Sequence, residues 1–250
     1  MRRVWNKTQD QIACEWDSIA ELRSQQIRSG MDISYDHILA PTVLALVEGG
    51  DRSAVLDVGC GCGFLTGKIA ATSKRVTGID ISPTSIRLAK EHCLGVGNIG
   101  FVNGAIEELM PSVEGHPFTL AVANMSLMAM LHLDAALAAL SRLVRPGGHL
   151  AFTITHPCFW PQYWNYSREW FRYGEEIVIE APFHISLDQS DHFTTTHIHR
   201  PLEQYVSALQ KSDFRIVQVL EPMPSPEVER LYPRPWEYPR FMGALCVRKG

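Results

Sequence analysis

The chain has 250 residues, 46% of them hydrophobic and 20% charged, with 23 Lys and Arg against 27 Asp and Glu for a formal net charge of −4. That length and composition suit one large globular domain or a domain with an insertion. The charge balance leaves no basic footprint for RNA or DNA, and the apolar stretches break before a membrane-spanning length. The N-terminal "MRRVWNKTQDQ" lacks the apolar block of a signal peptide, so a soluble cytoplasmic protein is expected. The six cysteines are too sparse for a disulfide framework and read as reduced, small apolar fillers. Arg230, Arg234, Arg240, Arg248 and Lys249 thicken the C-terminus, but prolines and acids interrupt them and they read as solvated surface.

Residues 10–47 carry helical periodicity, with Ile12, Trp16, Ile19, Ala20 and Leu22 or Arg23 at recurring positions, a break at Gly30, and a second helix near His37–Val47. Residues 1–50 are thus expected to form an N-terminal helical flap. From Ala54 short β-branched runs alternate with helices, the pattern of a parallel sheet with crossover helices. The predicted strands are Ala54–Val58, Arg75–Ile79, Gly100–Asn103, Leu120–Asn124 and His149–Thr155; the helices between them lie near Gly63–Ala71, Pro83–His92 and Asp134–Leu143. The last helix stops at Arg145-Pro146-Gly147-Gly148. Residues 158–200 abandon this rhythm and read as an inserted aromatic-rich cap with two extended runs around Leu187–Ser190. A helix near Pro201–Lys211, a strand Arg215–Leu220, a proline-rich loop and a strand Met242–Arg248 follow, so residues 51–157 and 201–250 form the principal domain.

"VLDVGCGCGF" (Val55–Phe64) ends a strand in Asp57 and then spaces Gly59, Gly61 and Gly63 before a helix. This places backbone N–H groups and a helix N-terminus at the carboxyl edge of the sheet, where open α/β folds bind ligands. A dinucleotide fingerprint would need glycine where Phe64 stands. Asp80, at the tip of the second strand, suits a ribose diol, because two hydroxyls donating to one carboxylate make charge-assisted bonds. Asp57 would repel a pyrophosphate and suits a ligand bearing an ammonium group, which points to a cationic amino-acid nucleoside.

"VLDVGCGCGFLTGKIA", "VTGIDISPTSIRLAKEH", "LAVANMSLMAML" and "LSRLVRPGGHLAFTITHPCF" together resemble the successive motifs of class I S-adenosylmethionine-dependent methyltransferases over roughly Ala54–Phe159. The later "THPCFW" and "HIHRPLEQYVSALQKSDFRIVQVLEPMP" resemble a bacterial subgroup whose members act on small molecules or remain unassigned. The resemblance implies a Rossmann-like α/β fold: a seven-stranded, mostly parallel sheet with an antiparallel last strand. It implies S-adenosyl-L-methionine as cofactor and S-adenosyl-L-homocysteine as product. Gly59, Gly61 and Gly63 would line the methionine moiety, Asp57 the sulfonium side, Asp80 the ribose hydroxyls and Ile81 one adenine face. Ala105 and Ile106 would serve the adenine edge, where the usual acid is missing from "NGAIEEL" and Asn103 or Glu107 could substitute. Asn124 and Met125 would face the methyl group, and Tyr35 resembles a residue that closes over the cofactor.

His156 follows the fifth strand where substrate and methyl group would meet, and is the first candidate for a general base; the alternative is a neutral ring bonded to cap backbone. Trp160, Tyr163, Trp164 and Tyr166 suit either the cap's own core or a pocket for a planar substrate. His197 and His199 share one face of an extended run, again as substrate-side candidates; no cysteine or carboxylate completes a metal-binding spacing around them. The expectation is methyl transfer to an N or O nucleophile of a small aromatic or heteroaromatic molecule, by a monomer or homodimer. The alternatives are a tRNA-modifying methyltransferase, a non-catalytic partner that binds the cofactor, and a nicotinamide-dependent oxidoreductase, against which Phe64 counts.

Overall fold

The computed structural model describes residues 1–110, 117–164, 170–188 and 192–250. In chain order the elements are β1 (Arg2–Arg3), α1 (Gln9–Arg28), a π-turn at Tyr35–Leu39 running into α2 (Ala40–Leu46), β2 (Val55–Val58), α3 (Phe64–Ala70), β3 (Val76–Asp80), α4 (Pro83–His92), β4 (Ile99–Asn103) and β5 (Phe118–Asn124). There follow α5 (Leu133–Leu143), β6 (Val144–Thr155), α6 (Trp160–Tyr163), β7 (Ile177–Pro182), β8 (Thr194–His199), α7 (Leu202–Lys211), β9 (Phe214–Leu220), α8 (Pro226–Glu229) and β10 (Phe241–Arg248).

The seven-stranded sheet runs β4-β3-β2-β5-β6-β10-β9. Strands β2 to β6 pair in parallel, and β10, last in the chain, lies antiparallel between β6 and β9. The chain moves outward from β2 to β4 and then returns to the other side of β2 as β5. A crevice opens at that reversal, beyond the carboxyl ends of the strands. Central strands are buried on both faces, which is why they read as continuous apolar runs. One face packs Leu56, Ile79, Ala121 and Phe152 against Leu137 and Leu140 of α5 and Tyr205 and Leu209 of α7. The other packs Val55, Val76 and Val122 against Val43 and Leu46 of α2 and Leu65 and Ile69 of α3.

Local chemistry fixes the helices that border the crevice. Thr8 and Gln11 form a reciprocal capping box at the start of α1. Ser82 caps α4, whose first residue is Pro83. Asp17 of α1 accepts from the Ser82 hydroxyl at 2.6 Å and the Thr84 amide at 2.8 Å, fastening α1 across the N-terminus of α4.

A second, three-stranded antiparallel sheet has the order β1-β7-β8. Arg2 pairs with Glu180 and Arg3 with Ile179, while Lys7 bridges Glu15 and Glu180. Residues 1–50 therefore serve two bodies: their start joins the 158–200 segment, and α2 covers the main sheet. Strand β6 begins at Val144, not His149, because Arg145–Gly148 continues the ladder across a register irregularity opposite Phe118–Leu120. Among the described residues no helix is long and apolar enough to cross a membrane.

Candidate active site

The turn after β2 folds back on β3, with the Gly59 and Cys60 amides donating to the Ile79 carbonyl at 2.8 and 3.0 Å. Gly59 and Gly61 both have positive φ, 68° and 52°, and for different reasons neither tolerates a side chain. A Cβ on Gly59 would clash with Ser126 Cβ, so that glycine lets the tips of β2 and β5 close together. A Cβ on Gly61 would meet nothing within 4 Å, since it faces open cleft. The Gly61 amide donates to Asp80 Oδ2 at 2.8 Å, and the Ser82 amide donates to Oδ1 at 2.9 Å. Burial pushes the Asp80 carboxyl up, and these two donors pull against it.

Asp57 is 1% exposed and accepts from the Thr66 hydroxyl at 2.6 Å. Burial pushes its carboxyl up to about 7, opposed by the Thr66 bond and reinforced by the charge of Asp80. Tyr35, on the π-turn, is buried and its hydroxyl has no hydrogen-bond partner among the described residues. Burial and the nearby Asp57 hold that phenol protonated, an unused donor at the cleft wall. Beside it Arg23 donates to Asp32 Oδ2 at 2.7 Å and to Gln26 at 2.9 Å, while Asp32 Oδ1 accepts from the Tyr35 amide at 3.0 Å.

At the tip of β5, Asn124 Oδ1 accepts from the Thr153 hydroxyl at 2.6 Å. Met125 adopts φ 56°, rare for a side-chain-bearing residue, and its amide donates to the Thr153 carbonyl at 3.0 Å. The Ser126 hydroxyl donates to the Val58 carbonyl at 2.6 Å and locks this tip onto the glycine turn.

The glycine turn, the two carboxylates, Tyr35 and the tip of β5 line one cleft of about 1240 Å³. Single small-molecule sites typically span roughly 300–1,000 Å³, so there is room for two ligands. Tyr35, Asp57, Gly59, Gly61, Asp80, Ile81, Ala105, Ile106, Asn124 and Met125 line it, as do Tyr163, Trp164 and His197. Gly63 does not: it caps α3, where a Cβ would press on Ala89 at 3.0 Å, so its role is helix packing. Asn103 is also outside, its side-chain amide spent on the Asp80 and Ile81 carbonyls at 3.0 and 3.1 Å, while Glu107 lines the cleft.

His156 is a correction. It is buried, absent from the cleft wall, and both ring nitrogens are engaged: Nδ1 accepts from the Cys158 amide at 3.2 Å, so Nε2 carries the proton and donates to Glu221 at 2.8 Å. It caps the 157–159 turn and is no base for the cleft. Trp160 is a second correction, forming the cap's private core with Ile177, Ile179 and Ala181. His199 is a third: buried against Trp160, Phe171 and Tyr173, it donates from Nε2 to the Tyr173 carbonyl at 2.9 Å. His197 faces the cleft from beside Trp164, at 4.2 Å between ring centroids, and burial pulls its pKa down to about 3. Tyr166 lies outside the described residues.

Sequence reasoning missed two contributions. The α1 stripe Ile12-Trp16-Ala20-Arg23-Ile27 roofs the cleft, a helical periodicity visible in the chain although its destination was not. Arg234 and Arg240, read as solvated surface, line the wall formed by the loop before β10.

A family model for a methyltransferase domain matches residues 50–204. A ubiquinone biosynthesis O-methyltransferase of Vibrio atlanticus (strain LGP32) is 30% identical over 158 residues, covering 61% of this chain and 62% of that one. The chain thus spans less than two thirds of the length of such curated relatives. Among solved structures, an S-adenosylmethionine-dependent methyltransferase from Mesorhizobium loti superposes with a TM-score of 0.63 at 22% identity, over 83% of this chain and 96% of that one. The N-methyltransferase NodS from Bradyrhizobium japonicum WM9, in complex with S-adenosyl-L-homocysteine, gives 0.62 at 17% identity over 94% and 100%. The structural likeness is one of fold; the sequence model, spanning more than half of the chain, shows that this protein belongs to the methyltransferase-domain family.

Proposed function

We propose that this chain transfers a methyl group from S-adenosyl-L-methionine to an N or O nucleophile of a small aromatic or heteroaromatic acceptor. The observation that carries this reading is the single cleft at the sheet's reversal. Asp80 and the bare Gly61 turn lie at one end, and Tyr163, Trp164 and His197 line the other. The residues fit the cofactor. Gly61 leaves open space where any side chain would stand, Tyr35 holds an unpartnered hydroxyl, and two carboxylates face a ligand with a cationic centre.

Asp80 would hold the ribose hydroxyls, Ile81 and Ile106 would sandwich the adenine, Glu107 would accept from its amino group, and Arg23 would meet the amino-acid carboxylate. Asp57, Tyr35 and the Gly59–Gly61 main chain would surround the sulfonium end. When bound, the cofactor supplies a methyl group activated by positive sulfur. What the chain would contribute is alignment and dryness: Met125 and Asn124 are held by Thr153, and Trp164 and Phe183, which line the cleft, would limit water around the acceptor. His197 stays neutral at physiological pH, so it offers the acceptor a hydrogen-bonding partner, not a strong base.

Titration calorimetry tests the reading directly. Micromolar binding of S-adenosyl-L-homocysteine and none of NAD is expected, with labelled methyl passing from the cofactor to aromatic amines or phenols in a panel. NAD binding without the sulfur nucleoside would overturn it.

A further inference from the structure

Arg240 stands directly before β10 and lines the cleft. Its main chain is pinned, because its carbonyl accepts from the His156 amide at 2.9 Å. Its guanidinium lies 4.5 Å from the Trp236 ring centroid and 5.4 Å from that of Tyr232, a stack that orients the planar fork. Arg23 is neutralised by Asp32, but no carboxylate among the described residues pairs with Arg240. Arg234, held between Pro233 and Pro235, lines the same wall without an ion-pair partner among the described residues. Glu237, exposed on that wall, pairs with neither.

The position is as informative as the charge. Trp236 packs tilted against Phe241 at 5.8 Å, and Phe241 meets Tyr163 edge-on at 5.9 Å; Met125 packs into the same cluster. A run of packed rings, Trp236, Phe241 and Tyr163, therefore connects the guanidinium to the cluster that Met125 joins at the tip of β5, where the methyl group would be presented. Asp57, Asp80 and Glu107 gather toward the glycine turn, leaving this wall as the cationic end of the cleft. A half-buried guanidinium with an open fork matches a carboxylate in geometry and charge.

We infer that the acceptor carries a carboxylate gripped by Arg240, with Arg234 as an outer charge, while its ring lies against Tyr163 and Trp164. This rests on the methyl-transfer reading of the cleft and adds a substrate class to it.

The test uses benzoate and benzamide, a charged and a neutral probe of one shape, titrated into protein loaded with S-adenosyl-L-homocysteine. Benzoate should bind at least about tenfold more tightly, the scale of one bidentate charge-assisted contact. Arg240→Gln should abolish that preference, and Arg240→Lys, which keeps the charge without the fork, should retain part of it. Equal binding of both probes, binding of neither, or a preference that survives Arg240→Gln overturns the inference. A fall in S-adenosyl-L-homocysteine affinity in Arg240→Gln also overturns it, by assigning the guanidinium to the cofactor. Titration of the native protein with S-adenosyl-L-homocysteine alone comes first: its failure removes the methyl-transfer reading, whereas success there with no acid preference removes only the carboxylate.

Discussion

The Gly61 amide donates to Asp80 at 2.8 Å, so the turn that follows β2 and the tip of β3 are one unit. Asp80 holds this unit while keeping further lone pairs for a diol. Asp80→Asn keeps the shape but removes the charge. It should weaken S-adenosyl-L-homocysteine binding by about 1.5–3 kcal/mol, roughly 10- to 100-fold, and also lower unliganded melting, because the amide can accept only one of the Gly61 and Ser82 N–H bonds and turns its own NH2 on the other. Calorimetry and thermal melting on the same variant check both halves. Binding within threefold of the native protein would mean the carboxylate serves only the turn.

The two cleft glycines should separate a packing role from a ligand role. Gly61→Ala strains a positive φ, costing about 1–2 kcal/mol, yet meets no protein atom within 4 Å. Gly59→Ala adds a clash with Ser126, for a total of about 2–5 kcal/mol. Denaturant unfolding should rank Gly59→Ala as the less stable. Binding of S-adenosyl-L-homocysteine should nevertheless fall more than tenfold in Gly61→Ala; unaltered affinity there would refute a close main-chain approach.

The parallel sheet was legible because each of its strands is a short apolar run between helical periods, a signal that needs no long-range information. The sheet joining β1 to β7 was not: two residues carry no period, and their partners, Glu180 for Arg2 and Ile179 for Arg3, lie 178 and 176 positions away. At the site, the carboxylates at the carboxyl ends of two strands, Asp57 one residue before the end of β2 and Asp80 at the end of β3, were legible from strand position alone. His156 misled because sequence fixes that it follows β6 but not which way its ring turns, and the Cys158 amide and Glu221 turn it from the cleft. His197 and His199 share a face of β8, yet the aromatic neighbours each meets divide them between cleft and cap core. Arg240 was hidden for a similar reason, since nothing local tells a stacked arginine from a solvated one.

Asp57 makes stability depend on pH with a definite sign. Its carboxyl titrates near 3.9 in an unfolded chain and at about 7 in the fold. The folded state therefore holds the extra proton across that window, and stability falls as pH rises from about 4 to 7. At about 1.4 kcal/mol per pKa unit the loss is on the order of a few kcal/mol. Asp57→Asn keeps an acceptor for the Thr66 hydroxyl and abolishes the ionisation, so its stability relative to the native protein should improve between pH 4.5 and pH 8. A difference that stays flat with pH, measured by denaturant unfolding, would place the burden of charge elsewhere. A cationic ligand should also expel this proton near neutrality, visible as a dependence of binding heat on buffer ionisation.

Arg200 ties the cap to the sheet from inside. Its side chain is 0% exposed; Nε donates to Glu176 at 2.6 Å, and Nη2 donates to the Met130 and Leu131 carbonyls at 2.7 and 3.0 Å. Those carbonyls belong to the loop after β5, where Met128 and Met130 line the cleft. The residue thus joins the exit of β8 to a segment that lines the cleft. Glu176 has a second donor in the Gln204 amide at 3.0 Å and is partly exposed, so it tolerates loss of its partner better than Arg200 does. Arg200→Ala should cost about 3–5 kcal/mol, by leaving a cavity and two carbonyls without their donor; Glu176→Gln strips the buried guanidinium of its counter-charge but keeps an acceptor for Nε and every packing contact, so it should cost less. Denaturant unfolding measures the gap between the two variants, and limited proteolysis should cut Arg200→Ala first within residues 158–200. Equal stability of the two would show that Arg200 fills space without bracing the cleft, and would remove the link between cap and cleft.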